Sequence, residues 1–262
     1  MRRFRRIFGI LRQEYYHTRR SLEMLFDLYV FGAMSVAVLG FISSFFAQSL
    51  HGPSRYYLLM GAILWEIIRL NQYTLTLTLM WNYFSHNVSN LFVAPLNWIE
   101  FIIATIFSAA TKTLLALLII AGMGFLFGFD LRSLGAWNLI LFFINLSLFA
   151  WSLGLLMLGL ILYLGLRMQA LAWGVVFFFQ PLCAAYFPLS ILPQPLHSIA
   201  LALPPTYVFE AARRILNGGN VDLSMVGTMF GLNAIYMAAC GAAFFWLLRR
   251  SQKCGQFAKN DQ

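Results

Sequence analysis

Charge is what this sequence has least of. Only 10% of its 262 residues are Asp, Glu, Lys or Arg, while 61% are hydrophobic; soluble globules carry about a quarter charged residues. That scarcity excludes a soluble globule, and the mean hydropathy of +0.75 agrees. The chain reads as an all-α polytopic membrane protein with one domain over residues 1–262. Cysteine is also scarce. Cys183, Cys240 and Cys254 are odd in number and the first two sit in apolar runs, so there is neither a disulfide framework nor a metal spacing. The four histidines, His17, His51, His86 and His197, are scattered with no H-E-x-x-H. No G-x-S-x-G occurs, and Glu66 is the only acid clearly inside an apolar run. None of Lys112, Lys253 and Lys259 follows a G-x-x-x-x-G, so the P-loop is missing too. These absences count against a membrane hydrolase, imply no cofactor on this chain, and assign any nucleotide energy to a partner.

The charge that is present is strongly biased, with a net value of +9. Seven arginines (2, 3, 5, 6, 12, 19 and 20) precede the first apolar run, and Arg249, Arg250, Lys253 and Lys259 follow the last. Basic residues beside span ends match the positive-inside rule and attraction to anionic headgroups, and argue against nucleic acid as a partner. Within the N-terminal segment, residues 1–25, Phe4, Ile7, Phe8, Leu11 and Tyr15 share one helical face, which predicts an interfacial helix in the headgroup plane. A cleavable signal peptide would explain the charged start. The apolar run from Leu28 to Ala47 is span-length, however, whereas a signal core is about 7–15 residues. An uncleaved first span is expected.

Hydropathy predicts six spans, near residues 26–47, 56–80, 99–127, 137–163, 170–187 and 226–248. Six spans leave both termini on one side, and the arginines make that side cytoplasmic. Cytoplasmic segments then carry twelve Lys and Arg against four outside, although the cytoplasmic connection 81–98 carries none. In the last span Gly227, Gly231, Ala234, Ala238 and Ala242 recur every three or four residues, a stripe suited to close helix packing, within this chain in preference to a dimer contact.

Six of the eight prolines, including Pro188, Pro193, Pro204 and Pro205, fall in or beside residues 188–220. Between them lie two short helical periodicities. Leu196, Ile199, Ala200 and Leu203 form one; Val208, Ala211, Ala212 and Ile215 form the other, with Tyr207, Glu210, Arg213 and Arg214 alongside. Each is too short to span a bilayer, so the segment reads as a re-entrant or interfacial hairpin before the last span. Inside the spans, Glu66 and Arg69 are three apart and can pair on one face, which Tyr73 and Thr76 extend. Lys112 lies about 20 Å above the inner end of its span and Glu66 about 15 Å below the outer end of its own. The three are expected near mid-membrane, in reach of one cluster. They either line a pathway or hold helices together, with Lys112 snorkelling toward water. In residues 81–98, Val88, Leu91, Phe92 and Pro95 make a short apolar face, suited to docking in a partner's groove or to lying on the membrane.

With these pieces in place, the chain resembles the permease subunit of ABC-2 type (type V) ABC exporters along nearly its whole length. The resemblance rests on the interfacial N-terminal helix, six spans, a segment between spans two and three ending in Ala94-Pro95-Leu96, and the FPLSILP…IA…LPPTYVFEAAR stretch. It implies that 81–98 is a coupling helix, through Val88, Leu91, Phe92 and Pro95. It further implies that 188–220 is an outer-leaflet gate, with Pro188, Pro193, Pro204, Pro205, Tyr207, Glu210 and Arg213 as gate residues. Two copies of this permease with two copies of a separate ATPase, which holds ATP and Mg, would export an amphiphile across a bacterial inner membrane. Relatives of this length move lipid-linked saccharides, lipids or hydrophobic drugs. One departure is that 81–98 lacks the charged residues common in family coupling regions. Two other classes stay open: an ion-coupled secondary transporter using Glu66, Arg69 and Lys112, or a non-transporting scaffold or biogenesis factor.

Overall fold

The computed structural model describes residues 2–46, 56–85, 87 and 97–254, and those residues are helical throughout, with no strand among them. In chain order the helices are α1 (Arg2–Arg20), α2 (Leu22–Phe46), α3 (Tyr57–Phe84), α4 (Trp98–Leu126), α5 (Ala136–Leu164), α6 (Gln169–Leu182), α7 (Gln194–Leu201), α8 (Pro204–Leu216) and α9 (Leu223–Cys254). Four stretches are long and apolar enough to cross a membrane: α2, α4, α9 and the run Ala136–Leu182 that contains α5 and α6. That run is broken only by a 3₁₀ turn at Gly165–Met168, where Gly165 takes a φ of 71° that favours glycine.

Local chemistry explains where the helices begin. The Ser21 hydroxyl accepts from the Met24 amide at 3.2 Å and starts α2. Asn97 and Glu100 form a capping box on α4: the Asn97 side chain accepts from the Ile99 amide at 3.2 Å, and the Glu100 carboxylate accepts from the Asn97 amide at 3.4 Å. Pro204 and Pro205 open α8, where a missing N–H costs nothing.

The core is built around α3. From Leu59 to Leu79 every residue except Tyr73 is buried, including Glu66, Arg69, Asn71, Gln72, Thr74, Thr76 and Thr78. The helix expected as span two is therefore present, and it runs past the expected end at residue 80. Its polar content keeps it out of the apolar set, and its walls are other helices. Polar side chains tie it to its neighbours. Asn71 Nδ2 donates to Ser147 Oγ at 3.1 Å, Trp151 Nε1 donates to Asn71 Oδ1 at 2.9 Å, and Gln72 Nε2 donates to the Ala172 carbonyl at 3.0 Å.

One expected face is corrected. In α9, Gly227, Gly231, Ala234 and Ala238 are exposed, and nothing lies near the two glycines. The buried seam is the opposite one, with Met229, Asn233, Cys240, Phe244, Leu247 and Ser251. The small residue at this contact comes from α5: a Cβ on Gly159 would lie 2.9 Å from Leu247 Cδ1 and 3.1 Å from Phe244 Cα. Asn233 Nδ2 donates to Asn145 Oδ1 at 2.8 Å and fixes the register of the pair. In α1, Phe4, Phe8 and Tyr15 of the expected apolar face are exposed, while Ile7 and Leu11 of the same face pack against the contact with α4. The seam packed on α4 is Ile10, which meets Phe101 and Ala104, together with Glu14.

Gly61 tests this packing. It faces the Ala185 carbonyl so closely that an added Cβ would overlap the oxygen, whereas Gly9 on α1 has open space around it. Gly61→Ala should cost about 1–3 kcal/mol by overpacking, and Gly9→Ala should be neutral or slightly stabilising. Thermal unfolding of the two purified variants in detergent checks the contrast.

Candidate functional site

Three clusters of buried charge stand out, each at a different level of the bundle. The first joins α2 to the middle of α3. Arg69 Nε donates to Glu66 Oε2 at 2.7 Å, and Arg69 Nη2 lies 2.6 Å from the same oxygen. Arg69 Nη2 also donates to the Asp27 carbonyl at 3.4 Å, and Tyr73 donates its hydroxyl to Asp27 Oδ2 at 2.6 Å. The expected Glu66–Arg69 pair thus forms, and Tyr73 belongs with it. Asp27 is the member that hydropathy alone passes over, since it sits at the margin of an apolar run. It lies in a π-helical turn, Phe26–Val30, a local widening of α2 that often marks functional positions. Gly32 completes the fit, since a Cβ there would sit 2.9 Å from Glu66 Oε2. The Arg69 guanidinium covers the Phe31 ring at 5.1 Å.

Lys112 does not join that cluster, which corrects the expected grouping. Its Nζ meets Glu14 Oε2 at 2.8 Å, and both residues are buried. The four-carbon stem carries the ammonium from α4 to α1, where Glu14 is the only acid on a helix rich in arginine. A second ion pair, Arg6 to Glu100 at 3.4 Å, ties the same two helices together. Read as sequence, Glu14 is one acid among surface charges. Only the packing of α1 along α4 makes it a buried partner.

The third cluster holds the helical pair α7–α8. Arg213 is 3% exposed; its Nη2 donates to the Ala184 carbonyl at 2.7 Å and to Glu210 Oε1 at 3.1 Å, and its Nη1 donates to the Ala185 carbonyl at 3.5 Å. Glu210 Oε1 also accepts from the Leu189 amide at 2.8 Å. Burial lowers the Arg213 pKa from its usual value, and the Glu210 carboxylate offsets part of that. One ion pair thereby organises residues 184–189, where Ala184 has a φ of 50°, a strained value for a residue with a Cβ.

The prolines of this region divide by role. Pro188 and Pro193 are extended residues that cap the next short helices, while Pro204 and Pro205 are buried at the start of α8. Tyr207 donates to the Leu201 carbonyl at 2.8 Å and closes the turn between α7 and α8. Ser190, His197, Tyr207, Glu210 and Arg214 share a cavity of about 360 Å³ on this pair. The coupling candidates Val88, Leu91, Phe92 and Pro95 lie outside the described residues.

The α7–α8 pair and α1 sit at opposite ends of α3. Asn217 Nδ2 donates to the Tyr57 hydroxyl at 2.7 Å, and Arg213 approaches the Tyr57 ring. At the other end His17 stacks near Trp81 at 5.0 Å, and Gln13 Nε2 reaches Asn82 Oδ1 at 3.5 Å. From Tyr57 to Trp81 is about 36 Å of helix. No protein-family model matches this chain, and no curated protein matches it either.

Two outcomes follow from these pairs. Glu66→Gln leaves the Arg69 cation buried and should destabilise the protein by about 3–5 kcal/mol. The double change Glu66→Gln, Arg69→Gln should recover most of that loss in a thermal-unfolding series. Separately, Arg213→Ala should free residues 184–191, seen as faster backbone hydrogen exchange there with α1 unaffected.

Proposed function

We propose that this chain is the membrane-spanning permease of an ATP-driven exporter of the ABC-2 type, working as a homodimer with two copies of a separate ATPase that holds ATP and Mg. The observation that supports this best is the placement of the basic helix α1 and the α7–α8 hairpin at opposite ends of α3. A separation of about 36 Å is close to the roughly 30 Å hydrocarbon core of a bilayer. In this reading α3 is a span, the Ala136–Leu182 run divides at Gly165–Met168 into two, and α2, α4 and α9 bring the number to six. Both termini lie in the cytoplasm of a bacterium, on the side of the arginines.

The hairpin then faces outward as the gate, with the Glu210–Arg213 pair fixing its shape. Backbone at such a level is tolerated because α3 and α9 cover it. The end of α3 and the start of α4 lie beside α1, on the side where a cytoplasmic ATPase would dock. The cargo is an amphiphile such as a lipid-linked saccharide, a lipid or a hydrophobic drug. The ion-coupled alternative gains one point from Asp27, which enlarges the buried polar network. Against it, the Arg69 and Tyr73 donors already occupy Glu66 and Asp27.

A cysteine placed at Gln194 in whole cells tests the topology. Labelling by an impermeant maleimide from outside is expected, and labelling only from the cytoplasmic side overturns both the topology and the gate. Coupling is tested by Leu91→Asp with Phe92→Asp, which should strip a P-loop ATPase from the purified complex, because charge buried in an apolar groove is costly. Unchanged co-purification returns residues 81–98 to a surface loop.

A further inference from the structure

Between α1, α2 and α4 lies a groove of about 360 Å³, within the usual range of small-molecule sites, roughly 300–1,000 Å³. Its walls are apolar: Leu11 and Tyr15 come from α1, Leu25 and Tyr29 from α2, and Phe107 and Leu115 from α4. Tyr15, Phe107 and Leu115 are each more than half exposed, so the groove opens on the outer face of the bundle, where α4 meets hydrocarbon.

One cation at the rim is unspent. Glu14, the one acid of α1, is committed to Lys112 at the base of the groove. Arg6 is turned to Glu100, and Arg12 and Arg20 stack on the Tyr16 ring. Arg19 lines the groove, is exposed, and has no carboxylate partner among the described residues. An apolar slot with a free guanidinium at its mouth and two phenols beside it matches one chemistry. We propose that the groove holds a single phospholipid with an anionic headgroup, its phosphate on Arg19 and an acyl chain along Phe107 and Leu115. Arginine suits phosphate because its planar fork can donate two hydrogen bonds at once. The site stands whether or not the chain is an exporter, since it requires only that α4 face lipid.

Native mass spectrometry of the full chain, delipidated and then titrated with phosphatidylglycerol or phosphatidylcholine, tests it. The intact protein should retain one phosphatidylglycerol per chain in preference to phosphatidylcholine, and inorganic phosphate should not displace it. Arg19→Gln should weaken phosphatidylglycerol binding about fivefold, the effect of roughly one basic residue at a membrane surface. Arg12→Gln, the same charge change about two turns along α1 and outside the groove lining, should alter it less than about twofold. Leu115→Trp, which fills the slot at an exposed position, should abolish the single retained lipid. Equal retention of the two lipids, or equal loss in Arg12→Gln and Arg19→Gln, overturns the proposal, leaving an ordinary acyl-chain groove in the first case and diffuse attraction in the second.

Discussion

Everything in this bundle depends on covering α3. A helix carrying Glu66, Arg69, Asn71, Gln72 and three threonines cannot face hydrocarbon, where an unsatisfied polar group costs several kcal/mol. It must be walled by protein, and the walls must offer partners. Asp27 on α2, Ser147 and Trp151 on α5 and the Ala172 carbonyl on α6 are those partners. The remaining helices can then be outwardly greasy and inwardly selective. This explains why a long helix that falls outside the apolar set is the most buried one, the reverse of the order in a soluble protein.

The buried ion pairs each do a different mechanical job. Glu66–Arg69 lies on a single helix and reaches α2 through the Asp27 carbonyl and the Phe31 ring, so it sets how close α2 can come. Gly32 is small at the point of contact for that reason. Glu14–Lys112 joins two helices far apart in sequence and adds an ion pair to the small apolar contact that Ile10 makes with Phe101 and Ala104. Glu210–Arg213 acts on backbone, since three of its hydrogen bonds are to main-chain groups of residues 184–189. Charges of this kind contribute little net stability but penalise any arrangement that separates them.

Much of the helical layout is legible in the sequence because hydropathy and capping are local. The ends of α4, α5, α7 and α8 fall within a few residues of their expected positions, and the Glu66–Arg69 pair follows from spacing on one helix. What the sequence leaves open is which face of a helix meets which neighbour. The stripe from Gly227 to Ala238 looks like a packing face, yet the space at that contact is made by Gly159 on α5. Lys112 looks like a partner for Glu66 at the same depth, yet the α4 residue level with Glu66 at Gly32 is Ile120, about two turns further along the helix. Asp27 is hidden by its position at the edge of an apolar run, and its π turn has no composition signal.

The same geometry limits how the protein can move. Between Ala62 and Phe84 α3 contains neither glycine nor proline, the residues at which sharp kinks concentrate. It is therefore a stiff rod with α1 at one end and the α7–α8 pair at the other. A push on one end reaches the far end as a shift of the whole helix. Bending must be absorbed elsewhere, and two places are built for it. The Gly165–Met168 turn interrupts the Ala136–Leu182 run at a residue of positive φ, and Pro181 sits in the last turn of α6, just before the strained Ala184. Both lie on the path from α5 to the hairpin, so α6 is the element that can pivot while α3 holds its length.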